Sequence, residues 1–176
     1  SGRFEGSVQR GDRAGDDVSA FMFGGRLGTT FAEGQGSVTV WYDYLSGDDA
    51  ATAETEAFHT MYATNHKFYG FADLFLNVPV HTAGAGLQDM ALKFGFNPTQ
   101  RVRVGADFHS FSAAEQGSLS SSHFANEMDL TLSHRYTPNL ALTAGYSFVQ
   151  QDDALAEIGR LSENMHWFFI QLDAIF

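Results

Sequence analysis

The amino-acid sequence predicts an all-β fold, an antiparallel transmembrane β-barrel with about eight strands in this chain. Three observations predict it. Apolar and polar residues alternate with a period of two in eight segments, long and short connections alternate between those segments, and the last segment ends in Phe176. Residues 1–176 are expected to form a single transmembrane β-barrel domain, or the C-terminal segment of a larger barrel.

The composition suits strands that have one apolar and one polar face. Phe supplies 17 of the 176 residues, yet the mean hydropathy is only −0.17. The formal net charge is −11, so the basic footprint of a nucleic-acid-binding protein is missing and no nucleic acid is expected as a partner. Cysteine is absent, which excludes disulfides, zinc-thiolate sites and thiol catalysis.

The first four alternating segments are centred on residues 3–9, 21–28, 37–44 and 89–95. The second half holds four more, at residues 101–109, 127–135, 140–148 and 167–176. The last is the clearest, because Phe168, Ile170, Leu172, Ala174 and Phe176 share one face. With modest extension, each segment is long enough to cross a bilayer as a tilted strand.

The connections between these segments also favour an outer-membrane barrel. Short connections are expected at residues 32–35, 97–100 and 137–139, and longer ones at 11–17, 47–85, 112–122 and 151–164. In outer-membrane barrels the short turns are periplasmic and the longer loops are external. Residues 154–161 could form a short helical turn inside the last loop.

The charged residues of the strands fall on the polar faces. A cation that faced lipid at mid-depth would cost ~2–4 kcal/mol, so these side chains are expected to point into the barrel. There they either pair to fill a narrow interior or line a pore, and both readings stay open without the strand count of the whole barrel. The candidate pore-lining residues are Arg26, Lys93, Arg101, Arg103, Asp107, Glu127, Asp129, Arg135 and Asp173.

The histidines do not form a recognisable catalytic or metal site. His109-Ser110 and Ser122-His123 are adjacent pairs, and neighbours on a strand point to opposite faces, so neither pair can act as base and nucleophile. His59, His66 and His81 lack the spacing of a metal site. We therefore expect no enzyme activity, no metal and no other cofactor.

Aromatic residues suggest how the barrel meets its surroundings. The terminal Phe176 resembles the signal that the barrel-assembly machinery reads, so this machinery is an expected partner. The outer surface is expected to contact membrane lipid and lipopolysaccharide. Five aromatic residues near strand ends could form interfacial girdles: Tyr42, Tyr44, Tyr136, Tyr146 and Trp167.

The long loop carries the most specific pattern in the sequence. It reads Thr64-Asn65-His66-Lys67-Phe68-Tyr69-Gly70, followed by Asp73-Leu74-Phe75. The flanking pieces are Tyr42-Asp43-Tyr44, Ser46-Gly47-Asp48-Asp49 and Gly86-Leu87-Gln88-Asp89. In this order the pieces resemble the alginate-export family of outer-membrane proteins, and the resemblance runs across most of the chain.

The resemblance implies a bacterial outer-membrane barrel that passes an anionic polysaccharide or another small polar solute. Relatives in that family are much longer, and this chain resembles their C-terminal part. Basic residues line the family's polyanion path, which points to the Arg and Lys candidates above, although the accompanying acids weaken any anion selectivity. The alternative is a small closed barrel with a plugged lumen, a structural or interaction protein, in which residues 2–10 would pair with residues 165–176.

Overall fold

The computed structural model describes residues 1–13, 15–61 and 64–176. It contains one antiparallel sheet of eight strands in sequential order, which confirms the predicted number and arrangement of strands. The strands are β1 (Gly2–Arg13), β2 (Asp16–Phe31), β3 (Gly36–Leu45), β4 (Leu87–Thr99), β5 (Val102–Ser112), β6 (His123–Thr137), β7 (Leu140–Gln151) and β8 (Met165–Ala174).

The first predicted connection is wrong. Residues 11–17 were expected to form one of the longer loops, but β1 and β2 stay paired as far as Arg13 and Asp16. The alternation of apolar and polar residues stops near Arg10 because both faces become polar there, while the backbone hydrogen bonds of the hairpin continue. Residue Ala14 lies outside the described residues.

The three connections predicted to be short are confirmed at the opposite end of the sheet. A 3-10 turn at Ala32–Gly34 joins β2 to β3, and turns at residues 100–101 and 138–139 join the next two hairpins at this end. Arg101 therefore lies in a turn rather than in the strand to which the alternation assigned it. The short helix α2 (Asp153–Glu157) occupies part of the predicted helical segment in the last loop.

The outward face of the sheet is apolar, with large exposed apolar residues on seven of the eight strands and partly exposed ones on β7. Phe4 is 77% exposed and Leu132 is 52% exposed. The other large exposed apolar residues of this face include Val8, Phe21, Leu27, Val40, Met90, Leu92, Phe108, Leu130, Phe168, Ile170 and Leu172. A continuous apolar face of this size requires a cover, and lipid is the cover that the predicted barrel would have.

The hydrophobic core lies on the other face, beneath the loop between β3 and β4. This loop, residues 46–86 and called the inner loop here, contains the helix α1 (Val78–His81) and folds back over the inner face of the sheet. Its Phe75 ring lies 4.8 Å from the Phe111 ring and 5.8 Å from the Phe124 ring. The longest connection is thus a packed structural element rather than a solvated external loop.

The two edges of the sheet are unpaired in the part of the chain that the structure describes. β1 pairs only with β2, and β8 pairs only with β7. The expected pairing of residues 2–10 with residues 165–176 is not observed there, so closure into a barrel stays a prediction. Neither helix in the described residues is long and apolar enough to cross a membrane.

The ends of the inner loop cross at two glycines, and this crossing gives a test of the fold. Gly86 has φ +68°, and an added Cβ would lie 2.5 Å from the backbone nitrogen of Gly47 and 2.5 Å from the carbonyl oxygen of Leu45. Gly84 has a similar φ of +84°, but its nearest neighbour would be 3.8 Å away. Both Gly84 and Gly86 have a left-handed backbone, but only Gly86 is also crowded. Alanine variants of these two residues therefore separate steric overlap from backbone strain alone.

We expect Gly84→Ala to lower the free energy of unfolding by about 1–2 kcal/mol, the cost of a left-handed alanine. Gly86→Ala should cost about 2 kcal/mol more, because the crossing backbone segments must also move apart. Urea unfolding of both variants, followed by tryptophan fluorescence, measures the difference. Equal losses would show that the crossing is not a tight contact.

Candidate pore lining

Four carboxylates lie buried on the inner face of the sheet. Asp43, Asp89, Glu127 and Asp129 are each at most 3% exposed. Alternation alone would leave them facing an open lumen. They are buried because the inner loop lies over β3 to β6 and covers them, so the pairing of each carboxylate is a structural requirement.

The inner loop pairs with two of these carboxylates through its backbone. The N–H of Ala72 donates to Oε1 of Glu127 at 2.8 Å, and the N–H of Phe71 donates to Oδ2 of Asp129 at 3.2 Å. The Ser147 hydroxyl donates to the second Asp129 oxygen at 2.5 Å. These bonds fix the loop directly above β6.

Gly70 is the residue that permits this approach. Its φ is +77°, and an added Cβ would overlap the Glu127 carboxyl group. Only glycine satisfies both conditions at once, because it alone combines a low-cost left-handed backbone with the absence of a side chain. The glycine that ends the Thr64–Gly70 motif is therefore explained by its contact with the wall.

The remaining motif residues hold the loop in shape. The Asn65 amide donates to the hydroxyl of Thr60 and to the carbonyl oxygens of Phe75 and Leu76, at 2.9 to 3.0 Å. His66 Nδ1 lies 2.5 Å from Asp73 Oδ1. His66 is thus hydrogen-bonded within the loop. Within the loop sequence, Tyr62 and Ala63 lie outside the described residues.

Two aromatic residues of the motif contact the wall. The Phe68 ring packs edge-on against Trp41 of β3, with 5.9 Å between ring centroids. Tyr69 is 6% exposed, and burial raises the pKa of its hydroxyl far above the ordinary value. Tyr69 therefore stays neutral and acts as a packing residue.

A second charged group links β4 and β5. His109 Nδ1 lies 2.9 Å from Asp89 Oδ2, and its Nε2 lies 3.0 Å from Lys93 Nζ, which also donates to Asp107 at 2.9 Å. Two predicted pore-lining residues, Lys93 and Asp107, are thus paired with each other. Ser110 points to the opposite face, as the sequence analysis expected for adjacent residues.

Arg26 is also held against the wall. Its guanidinium carbon lies 3.7 Å from the centroid of the Trp41 ring, and its Nη2 lies 3.9 Å from a Glu5 oxygen. This cation–π contact places the charge over the inner face of β3. Asp173, by contrast, is exposed on the edge strand β8 and accepts a hydrogen bond from Gln171.

The other three predicted residues line one cavity near the short turns. Arg101, Arg103 and Arg135 surround a space of about 490 Å³ together with Ser133 and Thr143. Within the described residues none of the three arginines forms an ion pair. We call this space the basic cavity.

A second cavity, of about 470 Å³, adjoins the first and shares Arg103, Ser133 and Thr143 with it. Its aromatic lining is formed by Phe71, Trp167 and Phe169, and we call it the aromatic cavity. Trp167 was a candidate for an interfacial girdle, but it lies on the inner face. It pairs with Ser147 of β7, which in turn pairs with Asp129 of β6, and all three side chains are on the same face of the sheet.

Sequence reasoning assigned the strand residues to the correct face but did not identify several residues of the site. Asp43, Asp89 and His109 occupy polar-face positions of their strands, so alternation alone could have included them. Phe71 lies in an irregular loop, where no periodicity applies. Among the described residues, no group of three or more His, Asp or Glu is placed to hold a metal ion.

The backbone contacts of Phe71 and Ala72 give a test of how the loop is held. A buried hydrogen bond contributes about 0.5–1.5 kcal/mol, and an N–H left buried without its acceptor costs about 1–3 kcal/mol. Glu127→Ala or Asp129→Ala should therefore speed trypsin cleavage after the exposed Lys67 by about tenfold or more, since the loop opens more often. Mass spectrometry of the fragments measures this rate.

Asp173→Ala is the matched control, because Asp173 is an inner-face carboxylate that the loop does not contact. Its cleavage rate after Lys67 should equal that of the parent protein. Unchanged cleavage in both Glu127→Ala and Asp129→Ala would mean that apolar packing alone holds the loop.

The chain was also compared with known proteins. A comparison with curated protein sequences gave no significant match. The family described as Alginate export, however, matches residues 3–169, nearly the whole chain. It is a family of transport proteins and not of enzymes. The match confirms the resemblance carried by the Thr64–Gly70 motif, and the chain belongs to the alginate export family.

Proposed function

We propose that this chain forms part of the wall of a bacterial outer-membrane channel that passes polar or anionic solutes such as polysaccharide. The single observation that carries the proposal is the division of the sheet into two faces. One face is apolar, with large exposed apolar residues on seven of the eight strands and partly exposed ones on β7. The other presents Arg101, Arg103 and Arg135 to a cavity without ion-pair partners in the described residues. Family membership supports the same function.

The apolar face is the proposed contact with membrane lipid. Backbone groups in lipid must all be hydrogen-bonded, which the strand pairing achieves within the sheet. The short turns would then be periplasmic, and the long connections would be external, where they meet lipopolysaccharide.

The inner loop determines the charge of the passage. The chain carries a formal net charge of −11, which by itself would repel a polyanion. The loop buries Asp43, Asp89, Glu127 and Asp129, whereas the three arginines near the short turns stay exposed or partly exposed to the lumen. The accessible wall at that end carries these three arginines and one exposed carboxylate, Asp173, so it is basic on balance and attracts anions.

The open edges of the sheet favour a wide barrel. Unpaired strand edges are not tolerated in lipid, so β1 and β8 must pair with further strands or with each other. The inner loop reaches both edge strands, through the hydrogen bonds between His59 and Gln9 of β1 and through the packing of Phe71 on Phe169 of β8, but it leaves most inner-face residues of these strands exposed or half-buried. A wider barrel built on this wall would keep an open passage beside the loop.

The second candidate is a small closed barrel with a plugged interior that acts as a structural or interaction protein. The observation in its favour is the apolar core between the inner loop, α2 and the sheet, which fills the loop end of the inner face. Eight strands closed on themselves would leave little room beside this plug. Conductance separates the two candidates.

We expect the full chain, reconstituted in planar bilayers, to give stable single-channel currents that favour anions. Replacing Arg101, Arg103 and Arg135 together by Gln removes three positive charges from the wall and should shift the reversal potential in a salt gradient toward cation preference. Arg3→Gln is the control, since Arg3 already pairs with Glu5 at 2.5 Å on the same inner face. A folded protein without conductance would favour the plugged barrel.

The lipid-facing assignment has its own test on adjacent residues of β6. Leu132 is on the apolar face, and Ser133 lines both cavities. Leu132→Arg should lower the free energy of unfolding in lipid vesicles by ~2–4 kcal/mol, the cost of a cation near mid-depth. Ser133→Arg should lower it by less than about 1 kcal/mol. A larger loss for Ser133→Arg than for Leu132→Arg would mean that lipid contacts the face assigned here to the interior.

A further inference from the structure

One of the four buried carboxylates differs from the others in its contacts. Asp89 is paired with His109. Glu127 and Asp129 accept hydrogen bonds from the inner loop. Asp43 is only 3% exposed, yet no described residue donates a hydrogen bond to its oxygens or forms an ion pair with it. Because an unpaired carboxylate is costly to bury, this group has a strong tendency to bind a cation.

The cation and the N–H group nearest to Asp43 leave its oxygens available. Arg26 is close enough to attract the carboxylate, but its guanidinium lies 3.7 Å from the centroid of the Trp41 ring and 3.9 Å from a Glu5 oxygen. The indole N–H of Trp41 also lies near the carboxylate, and it forms no hydrogen bond with any described residue. The Asp43 oxygens therefore keep their capacity to accept hydrogen bonds from a ligand.

A glycine opens the space beside this carboxylate. Glu5 of β1 pairs with Gly24 of β2, which in turn pairs with Asp43 of β3. An added Cβ at Gly24 would overlap the Asp43 carboxyl group. The carboxylate thus extends over the bare backbone of β2 toward β1, and a side chain at position 24 would block that position.

Asp43 lines a cavity of about 360 Å³ between the first three strands and the inner loop, which we call the acidic cavity. Among the described residues, its charged lining consists of Asp43 and Glu5, with no lysine or arginine. The Tyr69 hydroxyl, buried beside it, forms no hydrogen bond within the described residues. Aromatic rings and thioethers supply much of the apolar lining: Met22, Phe58, Met61, Phe68 and Tyr69.

We propose that the acidic cavity binds a small organic ammonium ion. The ammonium group would donate hydrogen bonds to the Asp43 carboxylate and to the neutral Tyr69 hydroxyl. Its alkyl chain would lie against the rings of Phe58 and Phe68, where the positive charge also gains from the aromatic faces. This site goes beyond the proposed channel function, since it uses none of the arginines of the basic cavity.

Other classes of ligand fit this cavity less well. An inorganic anion would meet two carboxylates and no cation in the lining, and a neutral apolar compound would leave Asp43 buried and unpaired. A calcium ion needs six to eight oxygen ligands, whereas no group of three or more His, Asp or Glu is placed to hold a metal in the described ranges. The cavity lies on the inner face, so the amine would reach it from the barrel interior.

Tryptophan fluorescence tests the site independently of transport. Trp41 packs edge-on against Phe68 of the cavity, and Trp167→Phe leaves Trp41 as the only tryptophan. The probes are cadaverine, the neutral pentanediol of the same chain length, and calcium chloride, each titrated at constant ionic strength into the full chain refolded in detergent. We expect a saturable change in Trp41 emission with cadaverine, which should bind about tenfold more tightly than pentanediol.

Asp43→Asn in the Trp167→Phe background removes the charge at nearly constant shape. It should weaken cadaverine about tenfold and leave the weak pentanediol binding unchanged. The same change removes an unpaired buried charge, so the urea midpoint without ligand should rise. The control is Asp173→Asn, an exposed inner-face carboxylate outside this cavity, which should match the Trp167→Phe protein in both measurements.

Several results would overturn the site. Absence of a saturable emission change would mean that the cavity holds water only, and equal affinity for pentanediol would make it a simple apolar cavity. Tighter binding of calcium than of cadaverine would make it a metal site. Cadaverine binding that Asp43→Asn leaves intact, or a lower urea midpoint for this variant, would show that the Asp43 carboxylate is not the binding group. None of these measurements depends on conductance, so the channel is tested separately.

Discussion

The inner wall depends on two hydrogen bonds from the loop backbone to buried carboxylates, Ala72 to Glu127 and Phe71 to Asp129. Carboxylates cannot be buried without partners, because the desolvation penalty is several kcal/mol per ion. The loop, for its part, could not cover this face without acceptors for its own N–H groups. The buried carboxylates and the inner loop therefore stabilise each other. The two cavities are the part of the inner face that the loop leaves open.

The family motif has a structural explanation in these terms. Asn65 ties the loop to itself, Phe68 packs against Trp41, and Gly70 allows the backbone to reach Glu127. None of these residues lines the basic cavity. The motif thus fixes the position of the loop, and its His66 also lines the aromatic cavity. Other lining residues, such as Arg103 and Phe169, have no signal in a single sequence beyond their parity on a strand.

The sequence predicted the strands and their faces because a two-residue period is a local property. It failed where the deciding contacts were distant. The hairpin of β1 and β2 continues through Arg10 to Asp16 although the apolar alternation has ended, since backbone pairing needs no apolar residues. Trp167 was considered for the membrane interface because of its residue type, whereas its odd position on β8 places it on the inner face. The fold of the inner loop depends on partners 55 and 58 residues away, which no local pattern encodes.

Net charge is a poor guide to the selectivity of such a wall, because burial decides which charges a solute meets. Four inner carboxylates are hidden by the loop, while Arg101, Arg103 and Arg135 face open space. The same loop supplies Phe71 to the aromatic cavity. Moving the loop away would expose acidic groups and remove one aromatic wall at the same time. The burial of the inner carboxylates and the aromatic lining of the second cavity are therefore set by one element, and they must change together.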